Sequence, residues 1–187
     1  MVVRLAKGGR ERRRVLAFVR RHVRRLYGGI PPPSQILFFT ERNHRICGTI
    51  ALDFAEGSER LPLESIYQIY TAQTPWKFDR GKIAQFSKWW ATEPGVAVHL
   101  MQTAHLYALR EGKRFGLAEA KPPILAKVEE LGMALVEIPG ATLLIQGISL
   151  RGEGYYAEPP PPCLYMFDIS TNAAALERLR IKRRQVK

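Results

Sequence analysis

KIAQFSKWWATEPGVAVHLMQTAHLYALREGKRFGLAEAKPPILAKVEELGMALVEI, residues 82–138, reads as strand, helix, strand, helix, strand, with a turn signal at each joint. Ile83–Ala91 is rich in branched and aromatic residues, as strands are. Thr92-Glu93-Pro94-Gly95 opens a helix, with Thr92 as N-cap and Pro94 in the first turn, where a missing N–H costs nothing. Ala97, Leu100, Met101, Ala104 and Ala108 then recur on one face as far as about Glu111. His99 and His105 fall off that stripe, which predicts surface or partly buried positions. Arg114–Ala120 reads as the next strand. Pro122–Leu131 reads as a short helix with Leu125, Val128 and Leu131 on its buried face. Gly132 is a C′ glycine, and Met133–Ile138 is a strand.

Upstream, QILFFT (35–40) and RICGTIALDF (45–54) are buried-strand runs around the polar turn Glu41–His44, which predicts a hairpin. Gly57–Arg60 and Thr74–Arg80, the latter carrying Trp76, read as loops. Leu61–Tyr70 fits helix or strand. Downstream, Leu143–Ser149 reads as a strand and Arg151–Gly154 as a turn. Tyr155-Tyr156 opens a loop through Pro159–Pro162, which cannot ladder and is expected as an extended surface connection. CLYMFDI (163–169) is a last strand, and Ser170 or Thr171 caps a terminal helix.

The 187 residues suit one domain with a proper core. The net charge of +12 is concentrated at the ends: residues 1–25 carry ten basic residues and one acidic, 176–187 six and one, and the middle thirteen and fifteen. The chain therefore reads as a nearly neutral body, 1–187 in all, with a basic helix over 1–29 and another over 170–187 as appendages. In the first, Val15, Leu16, Phe18, Val19, Val23, Leu26 and Tyr27 form a stripe with His22. Arginines fill the rest, and Gly28-Gly29 and Pro31-Pro32-Pro33 stop the helix. Two readings stand together: the apolar face docks on a sheet, and the arginine face meets a polyanion or acidic partner. Cys47 and Cys163 form no C-x-x-C pair and share no ligand spacing with the four histidines. This predicts no metal site and a reducing, cytoplasmic setting. No run is long and apolar enough to span a membrane.

RICGTIALDF, IAQFSKWWA and RFGLAEAKPPILAKVEELGM together resemble the GNAT acyltransferases, over roughly residues 36–169. Leu131-Gly132-Met133 stands at the corner after the family's fourth helix. Within the superfamily the likeness is to acyl-homoserine-lactone synthases and N-acyl amino acid synthases, whose Glu-x-Ser-Arg-Phe signature is matched by Gln85, Ser87, Lys88 and Trp89. The resemblance implies an α/β (α+β) fold: a mixed sheet of about six or seven strands flanked by helices, with the family's fourth and fifth strands splayed. It implies an acyl-CoA or acyl-phosphopantetheine donor between those strands, and a small-molecule amine as acceptor. An N–H within Lys88–Ala91 would hold the thioester oxyanion, and the pyrophosphate would rest at Pro94–Val98, on a helix N-terminus. Trp89, Trp90, Ala91, Gly95, Val96 and Ala97 are thus the donor-binding candidates. Gln85, Lys88 and Glu119 are the catalytic ones, with Glu64, Asp79 and His99 as further bases.

The departures from the pattern shape the expectation. The phosphate loop keeps one glycine and no arginine, and Glu93 opposes a phosphate. That favours an acyl carrier protein, whose acidity suits the N-terminal arginines. Gln85 cannot act as a base, Val128 stands where the superfamily often has a tyrosine acid, and Lys88 replaces an arginine. The alternative is a catalytically inactive binding protein on the same scaffold, using its basic ends for nucleic acid or an acidic partner. A steep salt dependence of binding would mark it.

Overall fold

Asn43 and His44 both take positive φ, 49° and 60°. Two such residues in a row form the tight turn that matches strand twist, and they join β2 (Ile36–Arg42) to β3 (Arg45–Phe54) as the predicted hairpin. The computed structural model describes residues 1–29, 31–55, 60–69, 79–144 and 153–185. The readings of 57–59, Tyr70, 74–78, 145–149, 151–152 and the last two residues lie outside these.

A short strand that the sequence did not announce, β1 (Val3–Leu5), pairs antiparallel with β2. It precedes α1 (Gly9–Tyr27), the basic helix. After β3 come a 3-10 turn at Pro62–Ser65 and β4 (Tyr67–Gln68). Next are β5 (Ile83–Ala91), α2 (Val96–Arg110), β6 (Phe115–Ala120) and α3 (Pro122–Glu130). The chain continues with β7 (Val136–Glu137), β8 (Thr142–Leu143), a one-turn α4 (Glu153–Ala157), β9 (Cys163–Asp168) and α5 (Ile169–Gln185). Seven strands form one sheet in the order β1-β2-β3-β5-β6-β9-β7, while β4 and β8 pair separately. Among the described strands only β5 and β6 run parallel.

α2 and α5 cover one face, over Phe38, Ile50, Leu52, Phe86 and Phe167. On the other face α1 covers one half, with Val15 against Leu37, Phe39 and Ala51. The segment around Leu61–Tyr67 and Tyr156 covers the other half, over Leu117, Leu164 and Met166. Two glycines permit these approaches. A Cβ on Gly48 would lie 2.4 Å from Val96 Cγ1, and one on Gly116 would lie 2.1 Å from Phe167 Cζ.

Several expectations are corrected. Leu26, read as part of the apolar stripe of α1, is 52% exposed. Residues Met133–Ile138 yield only a two-residue edge strand, because Ala134 is claimed by Asn172, which receives its N–H and donates to its carbonyl at 2.9 and 3.1 Å. Tyr155-Tyr156 lies in α4 rather than a loop, and Pro162 is buried, its carbonyl accepting from Tyr67 at 3.1 Å. The cap of α5 is Asp168, whose carboxylate accepts the Ser170 hydroxyl and the Thr171 N–H. Those bonds hold its pKa below the usual range against the opposing effect of burial. His105 is fully buried, packed on Phe86 and Phe167. Burial lowers its pKa to about 4, although its Nδ1 contact with the Met101 carbonyl works the other way.

Candidate active site

β5 and β6 are paired only at Ile83–Phe115, Ala84–Gly116 and Gln85–Leu117. Beyond these, Ala118–Ala120 follow β9, while β5 stays with β3 as far as Ala91. The two parallel strands therefore part in the middle of the sheet, as expected of a wedge. Just past the fork β5 bulges. Ser87 faces Ala51 and Trp90 faces Thr49, so β5 spends one more residue than β3. Lys88 absorbs it at φ 52°, a conformation that side chains seldom adopt. The Lys88 carbonyl accepts from Thr49 Oγ1 at 2.9 Å, and its ammonium reaches Ser34 Oγ.

Adjacent along β5, the two tryptophans face opposite sides, and the bulge sets which of them takes which face. Trp89 packs on the core beneath α2, and its Nε1–H is buried without a hydrogen-bond partner among the described residues. Trp90 turns toward α1, with ring centroids 5.4 Å from His22 and 6.5 Å from Tyr27. Tyr155 continues this wall, 4.8 Å from Tyr27 and 5.1 Å from Tyr156. The Tyr156 hydroxyl lies 3.1 and 3.0 Å from the two oxygens of Glu119. Burial, and then the Glu119 charge, push the pKa of Tyr67, Tyr155 and Tyr156 far up, so all three stay protonated donors.

Gln85 is 4% exposed, and its Oε1 accepts the Leu63 N–H at 2.9 Å. It holds the Pro62–Ser65 turn against the sheet, which is a positioning role. Glu64 is engaged with Arg80 and the Leu61 N–H, and Asp79 with the Gly81 N–H. His99 is half-buried in the first turn of α2, and Val128 is core.

The connection into α2 differs from its sequence reading. Thr92 does not cap the helix. Its N–H and hydroxyl both go to the Cys47 carbonyl, at 2.9 and 3.0 Å, tying the end of β5 to β3. Gly95 occupies the N-cap at φ 80° without a side-chain cap. The Val96 side chain is core, so only backbone there can meet a ligand; Ala97 is half-buried and Ala91 exposed. Glu93 pairs with Arg42 at 2.8 Å, which offsets the charge it sets against an anion.

Two residues here escaped the sequence reading. Ser34 is 4% exposed and meets Lys88. Asp53, 3% exposed, stands opposite Gln85 across the β3–β5 ladder. Its Oδ1 accepts the Gln35 N–H at 2.8 Å, while Oδ2 is buried without a partner among the described residues. The signal was present: a carboxylate inside the apolar run IALDF is costly unless it is used or paired.

A seven-stranded sheet whose parallel pair forks beside a bulge is the fold of the GNAT acyltransferases. Within that fold, the chain is similar to acyl-homoserine-lactone synthases and an N-acyl amino acid synthase. TofI, solved in a ternary complex with an inhibitor and MTA, matches 95% of this chain over 97% of its own, at TM-score 0.63 and 15% identity. FeeM, an N-acyl amino acid synthase from uncultured soil microbes, matches 94% over 99%, at 0.57 and 18%. BjaI, a CoA-dependent acyl-homoserine lactone synthase solved with SAM and isopentyl-CoA, matches 89% over 78%, at 0.53 and 17%. No family model matches the sequence, and no curated protein matches it.

Proposed function

We propose that the protein is an N-acyltransferase, moving an acyl group from a pantetheine thioester to the amine of a small polar molecule. The observation that carries this reading is the fork between β5 and β6 with the Lys88 bulge beside it. A forked pair leaves backbone groups for an extended, amide-bearing arm to use as a third strand would. A bulge re-aims N–H groups out of the ladder, where they can meet a carbonyl whose oxygen gains charge during attack. The Trp89 indole, without a partner among the described residues, is one more donor beside the fork. These are features that suit a phosphopantetheine arm. Lys88 and Glu119 flank the acceptor side, and the first turn of α2 offers backbone N–H groups to the arm's phosphate.

The donor is an acyl carrier protein or acyl-CoA, and the surface favours the former. Arg13, Arg20, Arg21, Arg24 and Arg25 are all exposed on one side of α1, whose other side supports Trp90. An acidic carrier docking there delivers its arm next to the fork. The test is thiol release with a panel of acyl-CoA and acyl-carrier donors against pooled amines. Turnover that needs both thioester and amine supports the reading. If no donor is bound or consumed, it is wrong.

A further inference from the structure

The geometry points to Asp53 as the general base that takes the proton from the acceptor ammonium, replacing from the neighbouring strand the carboxylate that Gln85 does not supply. This rests on the acyltransferase reading above. Asp53 and Gln85 are direct cross-strand partners, so their side chains lie on the same face at the root of the fork. Gln85 is an amide already committed to the Leu63 N–H. Asp53 is a carboxylate with one oxygen fixed by Gln35 and the other without a hydrogen-bond partner among the described residues. An oriented carboxylate with one uncommitted oxygen has the form a positioned base needs. As a purely structural group it would leave a buried acceptor unsatisfied, which costs free energy.

The surroundings are built rather than incidental. The Gln35 side chain brackets Phe54, donating to its carbonyl at 3.2 Å and accepting its N–H at 2.7 Å. This locks the start of β2 onto the end of β3 around Asp53. Ser34, Asp53, Phe54, Arg60 and Pro62 line a cavity of about 310 Å³, the size of a small-ligand site. Two cations border it: Arg60 in its wall, and Lys88 through Ser34. The acceptor they favour is a small primary amine that also carries an anionic group. Its ammonium faces Asp53 and its anion faces Arg60.

The step balances without a co-reactant. Asp53 Oδ2 takes one proton from the ammonium, leaving a neutral amine. The amine nitrogen attacks the thioester carbonyl, forming C–N, and the C–S bond breaks. The thiolate takes the second amine proton and leaves as thiol. Asp53 then returns its proton to solvent.

The test compares wild type, Asp53→Asn, Gln85→Glu and the double variant. Asparagine keeps an oxygen for the Gln35 N–H, and glutamate keeps one for the Leu63 N–H. Octanoyl-CoA affinity is read by tryptophan fluorescence, fold by melting, and amide product by mass spectrometry with pooled amino acids and ethylamine. Asp53→Asn should lower kcat about a hundredfold or more, with donor affinity and melting unchanged. The double variant should recover at least about tenfold of that loss. A rate for Asp53→Asn within about twofold of wild type overturns the assignment alone, and so does a double variant as slow as the single. If wild type makes no amide with any donor and acceptor, the acyltransferase reading falls and this one with it.

Discussion

Thr49 Oγ1 donates a 2.9 Å hydrogen bond to the carbonyl of Lys88, spanning β3 and β5 where the latter carries its extra residue. Thr49 is fully buried, so no water can replace the bond. Thr49→Val keeps the shape and strands the carbonyl, at a cost of about 1–3 kcal/mol. We expect melting to fall by roughly 2–10 °C and acyl transfer to fall further than melting explains, because the bulge loses its tie. Wild-type turnover in a destabilised variant would show that the bulge holds itself.

Trp89→Phe tests the opposite sign. The indole N–H is buried and unpartnered among the described residues, and deleting such a donor removes its desolvation cost of about 1–3 kcal/mol while retaining most of the ring's packing. Melting should hold or rise without a donor. Octanoyl-CoA affinity should drop if the indole serves the pantetheine arm. Calorimetric melting with and without octanoyl-CoA separates the two effects.

Gly116 lies beneath the Phe167 ring, and an added Cβ would sit 2.1 Å from Cζ and 2.2 Å from Cε2. Gly116→Ala should cost about 1–3 kcal/mol or more through overpacking. Gly116→Ala with Phe167→Leu should cost less than the sum of the two changes, since each relieves the other. Urea titration of all four proteins checks this; strict additivity would mean the ring simply swings away.

His105 makes the fold sensitive to mild acid. Burial lowers its pKa from 6.5 to about 4, so between these values the unfolded chain takes up a proton that the native protein refuses. Stability from this source is complete above pH 6.5 and is lost progressively as pH falls to about 4, by up to about 3 kcal/mol. His105→Leu should flatten that slope. Denaturant midpoints at pH 7.5, 6, 5 and 4 provide the measurement.

The strand order through the fork was legible because its signals are local: branched runs, a C′ glycine, prolines at a first turn. The hairpin turn was equally plain, since Glu-Arg-Asn-His offers a polar break between two apolar runs. What escaped depends on partners distant in sequence. Thr92 looked like a cap, yet the Cys47 carbonyl outbids the helix for both its donors. His105 looked peripheral on a helical wheel, but α2 is covered on two sides, by the sheet and by α5, and so has little polar face to spare. Asp53 read as one residue of an apolar strand, and only pairing with β5 sets it opposite Gln85. The fork itself is a place where pairing stops, which no short segment can announce.

The end of the β5–β6 ladder at Gln85–Leu117 has a kinetic consequence. In most sheets, amide hydrogens exchange slowest at the centre and fastest at the rim. Here the alternate amides of β5 that face the gap are interior by position and rim-like by bonding. Their deuterium uptake should resemble that of the edge strand β1, while those facing β3 stay protected. An alternation along one central strand, erased when a donor arm fills the gap, would be the solution signature of a sheet built with an opening in its middle.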